Sequence, residues 1–147
     1  PVGVPPAGPP GGVKRGAVPM TIGHDGGPQT PTAASPLLEI ANAMVHLYKV
    51  ALGRGPTHAR ARFAGVDMVV VVLQDTMTVS ERRLAAAGQH ERLREHRLLL
   101  RDVVADEMRG AVERVLGRPT LALIGGIDTH HDVAVETFLL APPLHLA

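Results

Sequence analysis

Apolar residues recur at steps of three and four from about His90 to Leu116: Leu93, Leu100, Val104, Met108, Ala111 and Val115. That spacing predicts a single stripe along an amphipathic helix. Gly117 stands where a left-handed cap residue belongs, and Pro119 forbids continuation. At about 1.5 Å per residue the helix is roughly 40 Å long. A stripe of that length must be covered, so the remaining elements read as its packing partners.

Residues 1–35 hold eight Pro and eight Gly and hardly any large apolar side chain. Such a segment buries too little surface to offset its ordering entropy and is expected to be a disordered tail. The Pro5-Pro6 and Pro9-Pro10 pairs give it an alternative as a ligand for a groove-type module. The chain opens on Pro1, and Met20 lies just ahead of the globular part. A misplaced start, a fragment and a processed chain are all open readings. The globular domain is expected over 36–141, with 142–147 as a C-terminal tail.

Within it, Ser35-Pro36 starts a helix that carries Leu37, Ile40, Ala41, Met44, Leu47, Tyr48 and Ala51 on one side and ends at Gly53. Thr57 to Phe63 alternates as a half-exposed strand, whereas Met68 to Leu73 is apolar on both faces and needs cover on both. Thr78-Val79-Ser80-Glu81 is a capping box that opens a short helix closing at Gly88. After the long helix, Leu121 to Ile124 and Val133 to Leu140 read as two more strands. Val50-Ala51-Leu52-Gly53-Arg54-Gly55-Pro56-Thr57 is echoed by Val115-Leu116-Gly117-Arg118-Pro119-Thr120. The fold class is therefore α+β: two αββ units form a four-stranded antiparallel sheet with helices packed on one face. Four strands make a sheet some 20 Å wide. The long helix overhangs that width, and with the doubly apolar strand this points to a homodimer in which the helix also packs on its mate.

Composition narrows the chemistry. There is no Cys, which excludes disulfides, thiolate metal sites and cysteine catalysis. Nothing points to secretion, and a cytoplasmic location is expected. Met68 to Leu73 is the longest strictly apolar run, far short of the roughly 20 residues of a spanning helix, so no direct membrane insertion is expected. From Pro36 onward 13 Lys/Arg balance 13 Asp/Glu, and aromatics amount to Tyr48, Phe63 and Phe138. A neutral domain without stacking platforms is a poor nucleic-acid binder.

Gly53-Arg54-Gly55-Pro56, then Asp67-Met68-Val69-Val70, Thr78-Val79-Ser80-Glu81 and Leu84 form a pattern that resembles the MpsC-like family. Gly88, Arg97, Gly117-Arg118, Asp128 and Phe138-Leu139-Leu140 continue the resemblance, which spans about Leu37 to Leu140. Val79 stands where the family usually has Pro, and Pro119 where an apolar strand residue is common. The family is named for a small soluble component of a Na+-translocating, membrane-potential-generating system and is also linked to inorganic carbon supply. The resemblance implies an accessory role, with a larger membrane complex as partner. It supplies no catalytic residues.

The residues themselves offer few sites. Gly53-Arg54-Gly55-Pro56 follows a helix instead of preceding one, so it lacks the N–H cradle of a phosphate loop. Arg54 with Lys49, Arg60 and Arg62 is a candidate anion- or partner-binding surface. Arg97, beside the apolar stripe, joins them as a candidate expected to meet an acid such as Asp67. Asp128-Thr129-His130-His131-Asp132 is the densest set of metal-type ligands, but adjacent His side chains in a strand diverge, and no metal or cofactor is expected. Ser35 and Ser80 sit in caps, so no catalytic nucleophile is assigned. The reading is a non-enzymatic accessory or regulatory protein-interaction domain. The alternatives are a small-anion or nucleotide sensor or enzyme using the Gly-Arg loops, and a weak nucleic-acid binder using the basic face of the first hairpin.

Overall fold

The computed structural model describes residues 35–143, together with Gly3 and Gly8. The chain divides into a unit of Pro1–Pro31 and one of Thr32–Ala147, and the fold is that of the second. The tail expected over 1–35 and the last residues of the one expected over 142–147 lie outside the described residues.

Helix α1 spans Pro36–Leu52, and its Ser35 cap accepts from the Leu38 amide. Strands β1 (His58–Phe63) and β2 (Met68–Gln74) follow as a hairpin. Helix α2 (Val79–Ala86) is opened by the full capping box of Thr78 and Glu81. Helix α3 (His90–Leu116) leads to the second hairpin, β3 (Thr120–Asp128) and β4 (Val133–Leu140). Gly53 and Gly117 both adopt the left-handed conformation, each N–H returning to the last turn of its helix. A side chain with a Cβ would be strained at either position.

All strands pair antiparallel in the order β1-β2-β4-β3, so the second strand of each αββ unit lies in the centre. Helix α1 lies against β1, α3 against β3, and the two helices against each other on one face. The core on that side joins Ile40, Met44 and Tyr48 of α1 to Val69, Val71 and Leu73 of β2. Phe138 and Leu140 of β4 and Met108 and Val112 of α3 complete it.

The stripe on α3 follows the expected one, with Val104 and Val115 packed partly buried against the core, and gains two members. Leu93, Met108 and Ala111 are buried, Val112 joins them, and Arg97 occupies a fully interior position. The N-terminal half of α3, expected to overhang the sheet, meets α2 through the Glu81–Arg97 pair and the β3–β4 turn through a His90–Thr129 hydrogen bond.

Register assigns the other sheet face. Met68, Val70, Val72 and Gln74 of β2 stand beside Leu139, Thr137, Val135 and Val133 of β4. Ala122, Ile124, Gly126 and Asp128 of β3 flank them on one side, and His58, Arg60 and Arg62 of β1 on the other. Among the described residues no element packs across this face, and Ile124 is 71% exposed. The cover that β2 calls for is therefore supplied on one side only.

Two glycines test this packing in opposite directions. A Cβ on Gly125 would overlap the carbonyl oxygen of Val135 and the carboxylate of Glu136, whereas one on Gly110 meets nothing within 4 Å. Gly125→Ala is expected to destabilise the fold by about 1–3 kcal/mol through overpacking. Gly110→Ala, inside α3, is expected to stabilise it by about 0.5–1 kcal/mol. Urea unfolding of both variants measures the difference.

Candidate functional site

The polar groups gather at one end of the sheet, where the β2–α2 loop, the β3–β4 turn and the start of α3 meet. Asp75 and Asp132 both have positive φ, 57° and 53°, and the Asp75 amide donates to the Asp132 carbonyl. The Asp132 carboxylate accepts from the amide and hydroxyl of Thr76, both at 2.9 Å, and from the Met77 amide. Asp tolerates such backbone because its short side chain satisfies neighbouring amides. These bonds carry the chain from β2 into the α2 capping box.

Glu81 serves twice. It accepts from the Thr78 amide as the capping-box residue, and it receives Arg97 Nε at 2.5 Å. Arg97 also donates to the Thr76 carbonyl and hydroxyl. Both side chains are nearly fully buried, at 6% and 7% exposure. Burial opposes ionisation of Glu81, but the hydrogen bond and charge of Arg97 and the Thr78 amide hold its carboxyl below the ordinary value. The acid that meets Arg97 is thus Glu81, in place of Asp67, which is exposed in the β1–β2 turn.

A second network lies deeper. Glu136, 1% exposed, takes the Arg101 Nε at 2.7 Å and the Tyr48 hydroxyl at 3.2 Å. Burial pushes the Glu136 carboxyl up despite Arg101, and burial together with the Glu136 charge pushes the Tyr48 hydroxyl above its usual range. A cleft of about 30 Å3 opens over this network, walled by Leu98, Leu100, Val104 and Ile127. Small-molecule pockets start near about 300 Å3, so a nucleotide does not fit there. The signal for Glu136 was in the sequence: in β4 it shares the alternate positions of Ala134, Phe138 and Leu140, all core. Arg97 and Arg101 likewise fall on the heptad-like rows of Leu93, Val104 and Met108.

The five cationic candidates do not converge. Arg97 is interior. Arg54 reaches the Met77 carbonyl and pairs with Asp75 at 2.7 Å, while Arg82 takes the other Asp75 oxygen at 2.5 Å. Thr57, Arg54 and Arg82 together hold the Asp75 carboxyl low against a desolvation that acts the other way. Arg118, at the equivalent place in the second unit, donates to the carbonyls of Ala141 and Val66. Each Gly-Arg turn is therefore a staple onto the chain that follows the central strand of its own unit. Lys49 is exposed on α1, on the helical side of the sheet. Only Arg60 and Arg62 stand together, on the uncovered face. In the Asp128–Asp132 turn, His131 pairs with Asp128 and holds its carboxyl low, and His130 stacks on His90 with centroids 3.8 Å apart. Among the described residues no cluster of three metal-type ligands forms.

Arg97→Met is expected to cost about 3–5 kcal/mol at neutral pH, because Glu81 is left buried and unpaired. The loss should shrink in acid. A carboxyl held low in the fold contributes stability above its unfolded pKa, ordinarily 4.5 for Glu, and loses it as pH falls through the folded value. Urea unfolding of wild type and variant at neutral and acid pH checks both parts.

Comparison with known proteins gives a family. A family model described as the Na+-translocating membrane potential-generating system (MpsC) covers residues 37–142. No curated protein and no solved structure matches the chain.

Proposed function

The chain belongs to the MpsC family, and on that premise we propose that it is a homodimeric, non-enzymatic accessory domain that docks in the cytoplasm on the membrane part of a Na+-translocating, potential-generating system. Among the described residues no helix is long and apolar enough to cross a membrane, so the reading assigns membrane contact to a partner.

The observation that carries this reading is the outer face of α3. Leu99 and Val103, one helical turn apart, are 68% and 77% exposed. Glu95, Asp102, Asp106 and Glu107 lie one turn from them on the same helix and are exposed as well. An apolar pair in an acidic rim fits a partner segment that offers apolar side chains among Lys and Arg. Cytoplasmic loops of membrane proteins carry an excess of those residues. Charge complementarity of this kind raises the association rate and fixes orientation.

The anion reading draws less support. Both Gly-Arg turns have their guanidinium groups engaged by the protein's own oxygens. For nucleic acid, Arg60 and Arg62 alone would supply few phosphate contacts.

The test is cosedimentation of the full chain with proteoliposomes that hold the membrane subunit. Binding is expected to weaken with added salt and to fall at least about tenfold in Leu99→Lys/Val103→Lys, with melting temperature unchanged. Equal binding by variant and wild type would remove α3 as the docking face.

A further inference from the structure

The uncovered face of the sheet sets charged edges on either side of an apolar middle. Its middle is apolar, with Val70 and Val72 of β2 beside Val135 and Leu139 of β4. Its two edges differ. The β1 edge carries His58, Arg60 and Arg62, and the β3 edge carries Asp128 followed by Gly126. Gly126 meets nothing within 4 Å where a Cβ would stand, and it sits in a shallow depression bordered by Ile124, Val135 and Asp128.

We infer that this face binds a second copy of the same chain, the two sheets stacked about a twofold axis parallel to the strands, with Arg60 of each copy set over Gly126 and paired with Asp128 of the other. It develops the homodimer of the reading above and is independent of the membrane partner and of α3.

Charge decides the axis. Two stacked sheets lie about 10 Å apart with strands within roughly 30° of alignment. A twofold axis across the strands would place β1 on β1, and Arg60 and Arg62 would face their own copies. Like charges set against each other at an interface oppose association. An axis along the strands places β1 over β3 instead. Along the strand direction Arg60 is level with Val72, Val135 and Gly126, and His58 is level with Asp128. The Arg60 stem then fills the space that Gly126 leaves, and its guanidinium lies one strand position from the Asp128 carboxylate. Asp128 is half exposed, its other bonds being to the turn it caps. The valines of β2 lie over those of β4, which removes from water the second apolar face of the central strands.

The area sets the strength. Four strands of about seven residues cover roughly 450 Å2 per copy, or about 900 Å2 in all. Stable interfaces begin near about 1,000 Å2, so the dimer is expected to dissociate on dilution.

Sedimentation equilibrium of the full chain over a wide concentration range tests this, with thermal melting as a check on folding. Wild type should shift reversibly from monomer to dimer. Val72→Glu should be monomeric with an unchanged melting temperature. Arg60→Glu and Asp128→Arg, each alone, should associate at least about tenfold more weakly, because both pairs across the axis become like-charged. Mixed in equal amounts, those two variants should form a heterodimer, because each pair is then opposite in sign again. Asp128→Arg also removes the turn cap, so Arg60→Glu with Asp128→Asn serves as a second mixture; it keeps one opposite pair and no like-charged pair, and should associate more firmly than Arg60→Glu alone and less firmly than wild type. A wild-type monomer at every concentration overturns the proposal, whether residues 1–34 or another protein then covers the face. A dimer indifferent to Val72→Glu overturns it too, and folded equal mixtures that associate no better than Arg60→Glu alone overturn the registration.

Discussion

The pairing of β2 with β4 is the contact on which the remaining architecture rests. It joins the two αββ units through their most apolar strands, and it places both strands in the centre of the sheet. Central strands lose water on both edges, and their two faces must then be shielded by packing. Helices α1 and α3 shield one face with Ile40, Met44, Met108 and Val112. The other face keeps its valines half exposed. One pairing thus generates both the hydrophobic core and the unsatisfied surface that makes association with another chain energetically reasonable.

Polar groups inside the fold are devoted to joining segments. Arg54 and Arg118 stand at equivalent places after a left-handed Gly, and each reaches the segment that leaves its unit's central strand. Arg97 and Glu81 link the long helix to the short one, and Arg101 and Glu136 link the long helix to the sheet. A guanidinium suits this work because its planar fork donates to several carbonyl and carboxylate oxygens at once. The cost of desolvating such pairs is high, and its effect is to penalise any arrangement that leaves one partner alone in the interior.

Two separate surfaces set exposed apolar residues beside exposed charges. One is the sheet face with Arg60, Arg62 and Asp128 at its edges. The other is the α3 flank with Leu99 and Val103 among acids. Two surfaces on opposite layers would leave the proposed dimer able to hold a partner on each outer side. The proposed docking role would gain from that arrangement, because two weak sites on one particle bind more firmly than either alone.

Local signals settled much of the architecture. The Ser35 and Thr78 caps, the Gly53 and Gly117 stops, the period-two strand at β1 and the repeated Gly-Arg turn with its Pro-Thr strand start depend on neighbours a few residues away, so order along the chain was enough to read them. The α3 boundaries, His90 to Leu116, were legible for the same reason. What a side chain pairs with across the fold was not. Arg97 and Arg101 fall on the apolar rows of α3, but only the packing of α2 and β4 beside that helix fixes Glu81 and Glu136 as their partners. Glu81 reads as an exposed capping residue until Arg97 arrives from sixteen positions away. The sequence by itself determined helices, strands, their ends and the presence of a doubly apolar strand, because those follow from backbone sterics and periodicity. The tertiary structure alone decided which charges are spent and which face stays open, because that depends on strand order and on contacts between residues far apart in the chain.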